Sequence, residues 1–177
     1  MSAGIFLIGP MATGKSVVGR ELASRLGVAF IDTDAEVTAA HGSIADIFAA
    51  GGEPAFRALE SAALAEASAT GEPAVIATGG GAVLAAENRA LLRAGYTVYL
   101  ETDLETVTAR IAGAPGRPLL EGNPLDRWVK IFAAREAHYR HCATLTVDAR
   151  TGTVAELAEH ILDAYRRRAS TTGGITT

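Results

Sequence analysis

Short apolar runs punctuate this chain, and the stretches between them carry a different spacing. The runs are Ile5 to Ile8, Ala29 to Ile31, Val75 to Ala77, Val98 to Leu100 and Leu145 to Val147. Each is nearly continuous in apolar residues and mostly β-branched, the pattern of strands buried on both faces. Between them apolar residues recur at helical spacing. Val18, Leu22 and Leu26 form one stripe, and Phe56, Leu59, Ala63 and Leu64 another. Leu125, Trp128, Val129, Phe132 and Tyr139 line a third, read as one long helix; Val154, Leu157, Ile161, Leu162 and Tyr165 line the last. Ser43 to Asp46 and Thr153 to Glu156 resemble capping boxes, and Gly27, Gly71 and Gly95 fall where helices should stop. Alternation of this kind predicts a parallel sheet covered by helices on both faces.

Two stretches exceed what such a sandwich needs. Residues 34–68 insert two or three helices between the second and third strands. Gly113 to Pro124 carries Pro115, Gly116, Pro118, Gly122 and Pro124, so it reads as an exposed, articulated loop. A helical substrate lobe (about 34–68) and a lid (about 112–124) on a single domain of residues 1–168 are the expectation. Residues 169–177 are small and polar, and a disordered tail is expected there.

Composition narrows the classes. The chain has 177 residues, 49% apolar and 20% charged, ordinary for one soluble enzyme domain. A net charge of −4 gives no nucleic-acid-binding surface, and no apolar run approaches the ~18 residues that span a membrane. The lone cysteine, Cys142, makes neither an intrachain disulfide nor a metal cluster and reads as a small buried residue. The histidines show no metal-ligand spacing. A cytoplasmic protein is the simplest expectation.

Gly9-Pro-Met-Ala-Thr-Gly-Lys-Ser16 fits G-x-x-x-x-G-K-S and lies after a strand and before a helix, where the chemistry needs it. Backbone N–H groups and the positive end of the helix together wrap a phosphate. Lys15 is suited to reach the β- and γ-phosphates and Ser16 to ligate Mg²⁺. Asp32 and Asp34 close the second strand-like run, at the edge that faces a ligand crevice in such sheets. One carboxylate can hold Mg²⁺ through water while the other accepts a proton from a hydroxyl; an N-cap pair explains the same residues, and both readings stay open. Arg57 and Glu60 can pair at i, i+3, and from spacing alone a solvated helix face is favoured for them and for Arg135. Gly79-Gly80-Gly81 after the third strand permits close backbone approach to a ligand, or is a flexible turn. Arg117, in the loop, suits charge neutralisation during phosphoryl transfer. Arg110, a turn before the loop, either stacks on a nucleobase or is a surface cation.

With these residues in view the chain resembles the shikimate kinase family, over about residues 4–165. The resemblance rests on the phosphate loop Gly9–Ser16, Asp32-Thr-Asp34, Ser43-Ile-Ala-Asp-Ile-Phe48, Gly52-Glu-Pro-Ala-Phe-Arg57 with Glu60, Gly79-Gly-Gly81, Arg117-Pro-Leu119, and Arg135 with Tyr139. It implies a five-stranded parallel sheet of the nucleoside-monophosphate-kinase style. It also implies transfer of the ATP γ-phosphoryl group to the 3-hydroxyl of shikimate in aromatic amino-acid biosynthesis, with Mg²⁺, by a cytoplasmic monomer. By the family's pattern Lys15, Asp34 and Arg117 are catalytic, and Ala12, Thr13, Gly14, Lys15, Ser16, Val17, Arg110 and Arg117 bind ATP. Asp34, Arg57, Gly79, Gly80, Gly81 and Arg135 hold shikimate, with Arg57 and Arg135 on its carboxylate; Ser16 and, through water, Asp32 hold the metal. The family commonly has glycine where this chain has Ala12; if that position needs a positive φ, alanine costs about 1 kcal/mol. A gluconate-type kinase and a non-catalytic nucleotide-binding module are the alternatives. Nucleoside monophosphate kinases fit the arginine pair less well, and a GTPase is disfavoured because the Asn-Lys-x-Asp signature is absent.

Overall fold

The computed structural model describes residues 4–111 and 123–172. In chain order the elements are β1 (Ile5–Ile8), α1 (Lys15–Leu26), β2 (Ala29–Asp32), α2 (Thr33–His41), α3 (Ile44–Ala69), β3 (Ala74–Ala77) and a 3₁₀ turn at Ala82–Leu84. There follow α4 (Ala86–Ala94), β4 (Tyr96–Glu101), α5 (Leu104–Ile111), α6 (Pro124–Ala133), α7 (Glu136–Cys142), β5 (Leu145–Asp148) and α8 (Val154–Thr172). The strands form one parallel sheet in the order β2-β3-β1-β4-β5. All five apolar runs are strands, and β1 shows why the runs are continuous. Ile5 and Leu7 face α1 and α8 with Val18, Leu22 and Ile161, while Phe6 and Ile8 face the opposite layer with Leu64, Leu92 and Tyr139. A strand covered on both faces has no position left for a polar side chain.

The box at Thr153 forms in full: Thr153 Oγ1 accepts from Glu156 N at 3.2 Å while Glu156 Oε2 accepts from Thr153 N at 2.7 Å. At Ser43 the N-cap half forms, with Ser43 Oγ accepting from Asp46 N at 3.1 Å, and Asp46 Oδ2 accepts from the Ser43 hydroxyl at 2.6 Å rather than from its backbone N–H. The lobe between β2 and β3 is α2 and α3, held by a small core of Val37, Ile47 and Phe56. Helix α3 bends sharply at Gly52, whose φ of 69° is closed to most side chains, and Pro54 restarts the helix just beyond. Cys142 is buried, as expected.

Three expectations are corrected. The stripe read as one long helix is two, α6 and α7, because the chain turns at Ala134 and Arg135, where Arg135 N donates to Phe132 O at 2.9 Å, three residues back instead of four, and its φ widens to −119°. Asp34 does not close a strand: β2 ends at Asp32, which caps α2, so Asp34 lies in the first turn of that helix. Helix α8 runs on to Thr172, so residues 169–172 are helical rather than part of a disordered tail; residues 173–177 lie outside the described set. Most of the expected lid, residues 112–122, also lies outside it, while Asn123 caps α6 and Pro124 begins it. Among the described residues no helix is long and apolar enough to cross a membrane.

Candidate active site

Strand β1 delivers the chain into the Gly9–Ser16 loop, and α1 begins at Lys15. Lys15 is buried, and its Nζ donates to the carbonyls of Gly9 at 2.9 Å and Pro10 at 2.8 Å. Thr13 braces the turn through Oγ1 to Pro10 O at 3.1 Å. Ser16 Oγ donates to Asp32 Oδ2 at 2.5 Å, and Asp32 Oδ1 accepts from Ala35 N at 3.3 Å. Asp32 therefore caps α2 and faces Ser16 at once; its two oxygens divide what the sequence left as alternatives. Gly14 precedes the helix with φ 90°, and Val17 stands exposed beside Ser16.

Asp34 points away from that cap toward Glu60 and Gly79. A methyl group added at Gly79 would overlap Glu60 Oε1 and crowd Asp34 Oδ1, so glycine here is the space the two carboxyls occupy. Neither Asp34 Oδ1 nor Glu60 Oε1 has a hydrogen-bond partner among the described residues, although both are buried. Burial first, and the nearby Glu60 second, push the Asp34 carboxyl up to about 6, against the pull of Lys15 and Arg57. Thr33, fully buried, fixes the neighbouring backbone by accepting from Gly79 N at 3.2 Å.

Arg57 is no solvated face residue: its side chain is 19% exposed and its partner Glu60 is 1% exposed, with Nη1 donating to Glu60 Oε2 at 2.5 Å. Glu53 accepts from Arg57 Nε at 3.1 Å and Nη2 at 3.0 Å. Burial works against the Arg57 charge, but Glu60 and Glu53 outweigh it and hold the guanidinium above its ordinary range. The Arg57 guanidinium presses on Gly81, where a methyl group would collide with it. Arg135, at the α6–α7 break, is buried, and its Nη2 lies 4.0 Å from Glu53 Oε1. The break thus turns the residue inward toward Arg57. Tyr139 donates its hydroxyl to Gly80 O at 2.5 Å and pins the glycine turn to α7.

One cleft of about 790 Å³ is lined by Ala12, Thr13, Gly14, Lys15, Ser16 and Val17 together with Asp32, Asp34, Arg57, Gly80, Gly81, Arg110 and Arg135. The dispersed acceptor-side residues and the phosphate loop share a single cavity of the size that holds small ligands. Gly79 sits behind it, against Asp34 and Glu60. Arg110 does not project freely: Nη1 donates to Ala12 O at 2.9 Å and Nη2 to Ala149 O at 3.5 Å. Arg117 lies outside the described residues.

Sequence reasoning gave no site role to several residues that line the cleft. Glu60 is the clearest. Phe56, Glu60 and Leu64 share one helix face, so a carboxylate at that spacing is a buried charge, and that was a readable signal. The far wall of the cleft at Ala149, Gly152, Val154 and Leu157 offered none, because tertiary folding alone brings it there; Glu53, which supports Arg57 from outside that lining, offered none either.

A five-stranded parallel sheet in this order, a G-x-x-x-x-G-K-S loop at the end of its central strand and a helical lobe beside it define a P-loop small-molecule kinase fold. The family model for shikimate kinase matches residues 11–166, and the chain belongs to the shikimate kinase family. The shikimate kinase of Streptomyces coelicolor is 44% identical over 161 residues, covering 90% of this chain and 94% of that protein. The solved structure of shikimate kinase from Acinetobacter baumannii in complex with shikimate matches with a TM-score of 0.90 and 37% identity, over 95% of each chain. A gluconokinase structure from Sinorhizobium meliloti matches with a TM-score of 0.69 at 20% identity, a likeness of fold alone.

Proposed function

We propose that this chain transfers the γ-phosphoryl group of ATP to the 3-hydroxyl of shikimate, within aromatic amino-acid biosynthesis. The observation that carries the reading is that Lys15 and Ser16, Asp34, and the pair Arg57 and Arg135 line one cleft. Two guanidinium groups near each other suit a carboxylate, which planar forks hold in two directions. A carboxyl held near 6 is charged at neutral pH yet basic enough to take a proton from a hydroxyl. In this reading Arg57 and Arg135 hold the shikimate carboxylate, Gly79 to Gly81 let the ring hydroxyls approach the backbone, and Asp34 accepts the proton of the attacking hydroxyl. Lys15 leaves the carbonyls of Gly9 and Pro10 to draw charge from the β- and γ-phosphates. Ala12 to Val17 wrap the phosphates, Arg110 lies at the nucleotide, and Arg117 is assigned by resemblance to the transferring group.

The donor set at Ser16 and Asp32 fits Mg²⁺: a hydroxyl and a carboxylate 2.5 Å apart are hard oxygens, and the ion ordinarily takes few protein ligands beside phosphate and water. Bound there with ATP, it supplies neutralisation of phosphate charge. A single cleft that gathers Lys15, Ser16, Asp32, Asp34, Arg57, Arg110 and Arg135 from one chain supports a monomeric working unit, and a cytoplasmic place of action suits the fold and the substrates.

The test is ADP release coupled to a reporter enzyme, with shikimate and gluconate offered in parallel. ADP formation that requires both shikimate and Mg²⁺ is the expected result. Turnover with gluconate and none with shikimate would move the assignment to the alternative acceptor.

A further inference from the structure

Among the described residues Ala12 is the one non-glycine position with positive φ, at 67°. An alanine in that region is strained by about 1–2 kcal/mol, and such strain persists where the surroundings hold it. The surroundings here come from the helices α5 and α6. Trp128, on α6, donates Nε1 to Met11 O at 3.4 Å, and Arg110, on α5, donates Nη1 to Ala12 O at 2.9 Å. The carbonyls of two consecutive loop residues are thus each met by a side chain from outside the loop. Met11 and Ala12 also pack their side chains against Val107 and Trp128. Trp128 is 2% exposed, stacked on Phe132 with ring centroids 4.9 Å apart. Its indole N–H therefore finds its partner on the phosphate loop itself.

We propose that Trp128 is a positioning residue for nucleotide binding, which, with Val107 and Arg110, holds Met11 and Ala12 in the left-handed turn leading into Thr13-Gly14-Lys15-Ser16. The methyl group of Ala12 has a part in this. At a position where glycine would be free of strain, alanine gives the two helices something to grip. Trp128 touches neither phosphate nor acceptor; it acts through the loop, so its loss weakens nucleotide binding and leaves the acceptor end alone.

The proposal rests on the nucleotide half of the functional reading only, and direct binding of ADP with Mg²⁺, followed by calorimetry, tests it without any acceptor. Trp128→Phe keeps the ring and removes the donor. ADP affinity is expected to fall roughly fivefold, the value of one hydrogen bond, while kcat and the KM for shikimate stay within about twofold. Ala12→Gly added to Trp128→Phe is expected to restore ADP affinity, because glycine takes the turn unaided. Val107→Ala trims the same packing from α5, carries the same expectation, and serves if Trp128→Phe does not fold. Wild-type ADP affinity in a folded Trp128→Phe protein would overturn the proposal. So would an equal loss for ADP and shikimate that Ala12→Gly does not repair, which marks a merely structural role. A wild-type protein that does not bind ADP overturns both this proposal and the functional reading.

Discussion

At the nucleotide end of the cleft most candidate groups come from consecutive residues between Gly9 and Val17, joined by Asp32 and Arg110, whereas at the acceptor end Asp34, Arg57, Glu60 and Arg135 come from α2, α3 and the α6–α7 junction. The two ends also differ in what holds their cations. Lys15 donates to the neutral carbonyls of Gly9 and Pro10, but Arg57 is bound by the carboxylates of Glu53 and Glu60. A phosphate arriving at Lys15 displaces dipoles; an acid arriving at Arg57 meets existing anions. Backbone and a short motif suffice for the first task, since every triphosphate presents the same groups. Selecting one small acid needs charges set at particular points, and those have to be buried and balanced against each other.

The largest expected effect separates chemistry from nucleotide binding. Asp34→Asn removes the proton acceptor at the acceptor end while leaving the loop from Gly9 to Ser16 intact. We expect kcat to fall by about 10³-fold, within the range of general-base catalysis, with ADP affinity unchanged by calorimetry. Wild-type turnover would take Asp34 out of the mechanism and leave the acceptor end a binding device only.

A smaller effect is carried by pH. Burial and Glu60 hold the Asp34 carboxyl at about 6 against an ordinary 3.8. As a base it acts when charged, so kcat/KM for shikimate is expected to fall tenfold per unit once pH drops below that region. Stability of the protein without metal or nucleotide runs the opposite way. The folded state holds the Asp34 proton more tightly than the unfolded chain, so this group's contribution is favourable at low pH and is lost as pH rises toward about 6. Asp34→Asn should therefore raise stability near pH 7 by on the order of 2 kcal/mol, measured by urea unfolding. An unchanged midpoint would mean the carboxyl is better solvated than its surroundings indicate.

The same contrast governs what could be read before folding. The Gly9–Ser16 loop was legible because its function depends on contiguous residues between a strand and a helix. The five strands were legible because double-sided burial writes itself as apolar runs, although β4 begins two residues earlier than its run, at Tyr96 and Thr97. The acceptor end was legible only by resemblance. Ala134 and Arg135 are competent helix formers, so no local signal marks the break that turns Arg135 inward. Asp34 and Arg57 looked like a cap and a surface ion pair, because spacing does not reveal that Gly79 and Gly81 would lie against them. The bend at Gly52 went unread, because Gly52 and Pro54 entered only as parts of a motif, and nothing local tells which groups a bend brings together.

Glu53 is where the contrast predicts its smallest and most discriminating effect. Its carboxylate receives two donors of Arg57 and lies 4.0 Å from Arg135, and its side chain is 46% exposed. An ion pair that open to water is worth up to about 1 kcal/mol, so a large change is not expected from removing its charge. The sign is the informative part. Gln keeps an oxygen that accepts from Arg57 and so preserves orientation, but it removes an anion that competes with an incoming carboxylate for the same guanidinium groups. Glu53→Gln should therefore lower the KM for shikimate by roughly two- to threefold, within what an exposed charge can contribute, and leave kcat and the KM for ATP unchanged. A rise in the shikimate KM would show that the negative charge orients Arg57 and Arg135 more than it rivals their ligand, and would reverse the account of why the acceptor end is built from paired charges.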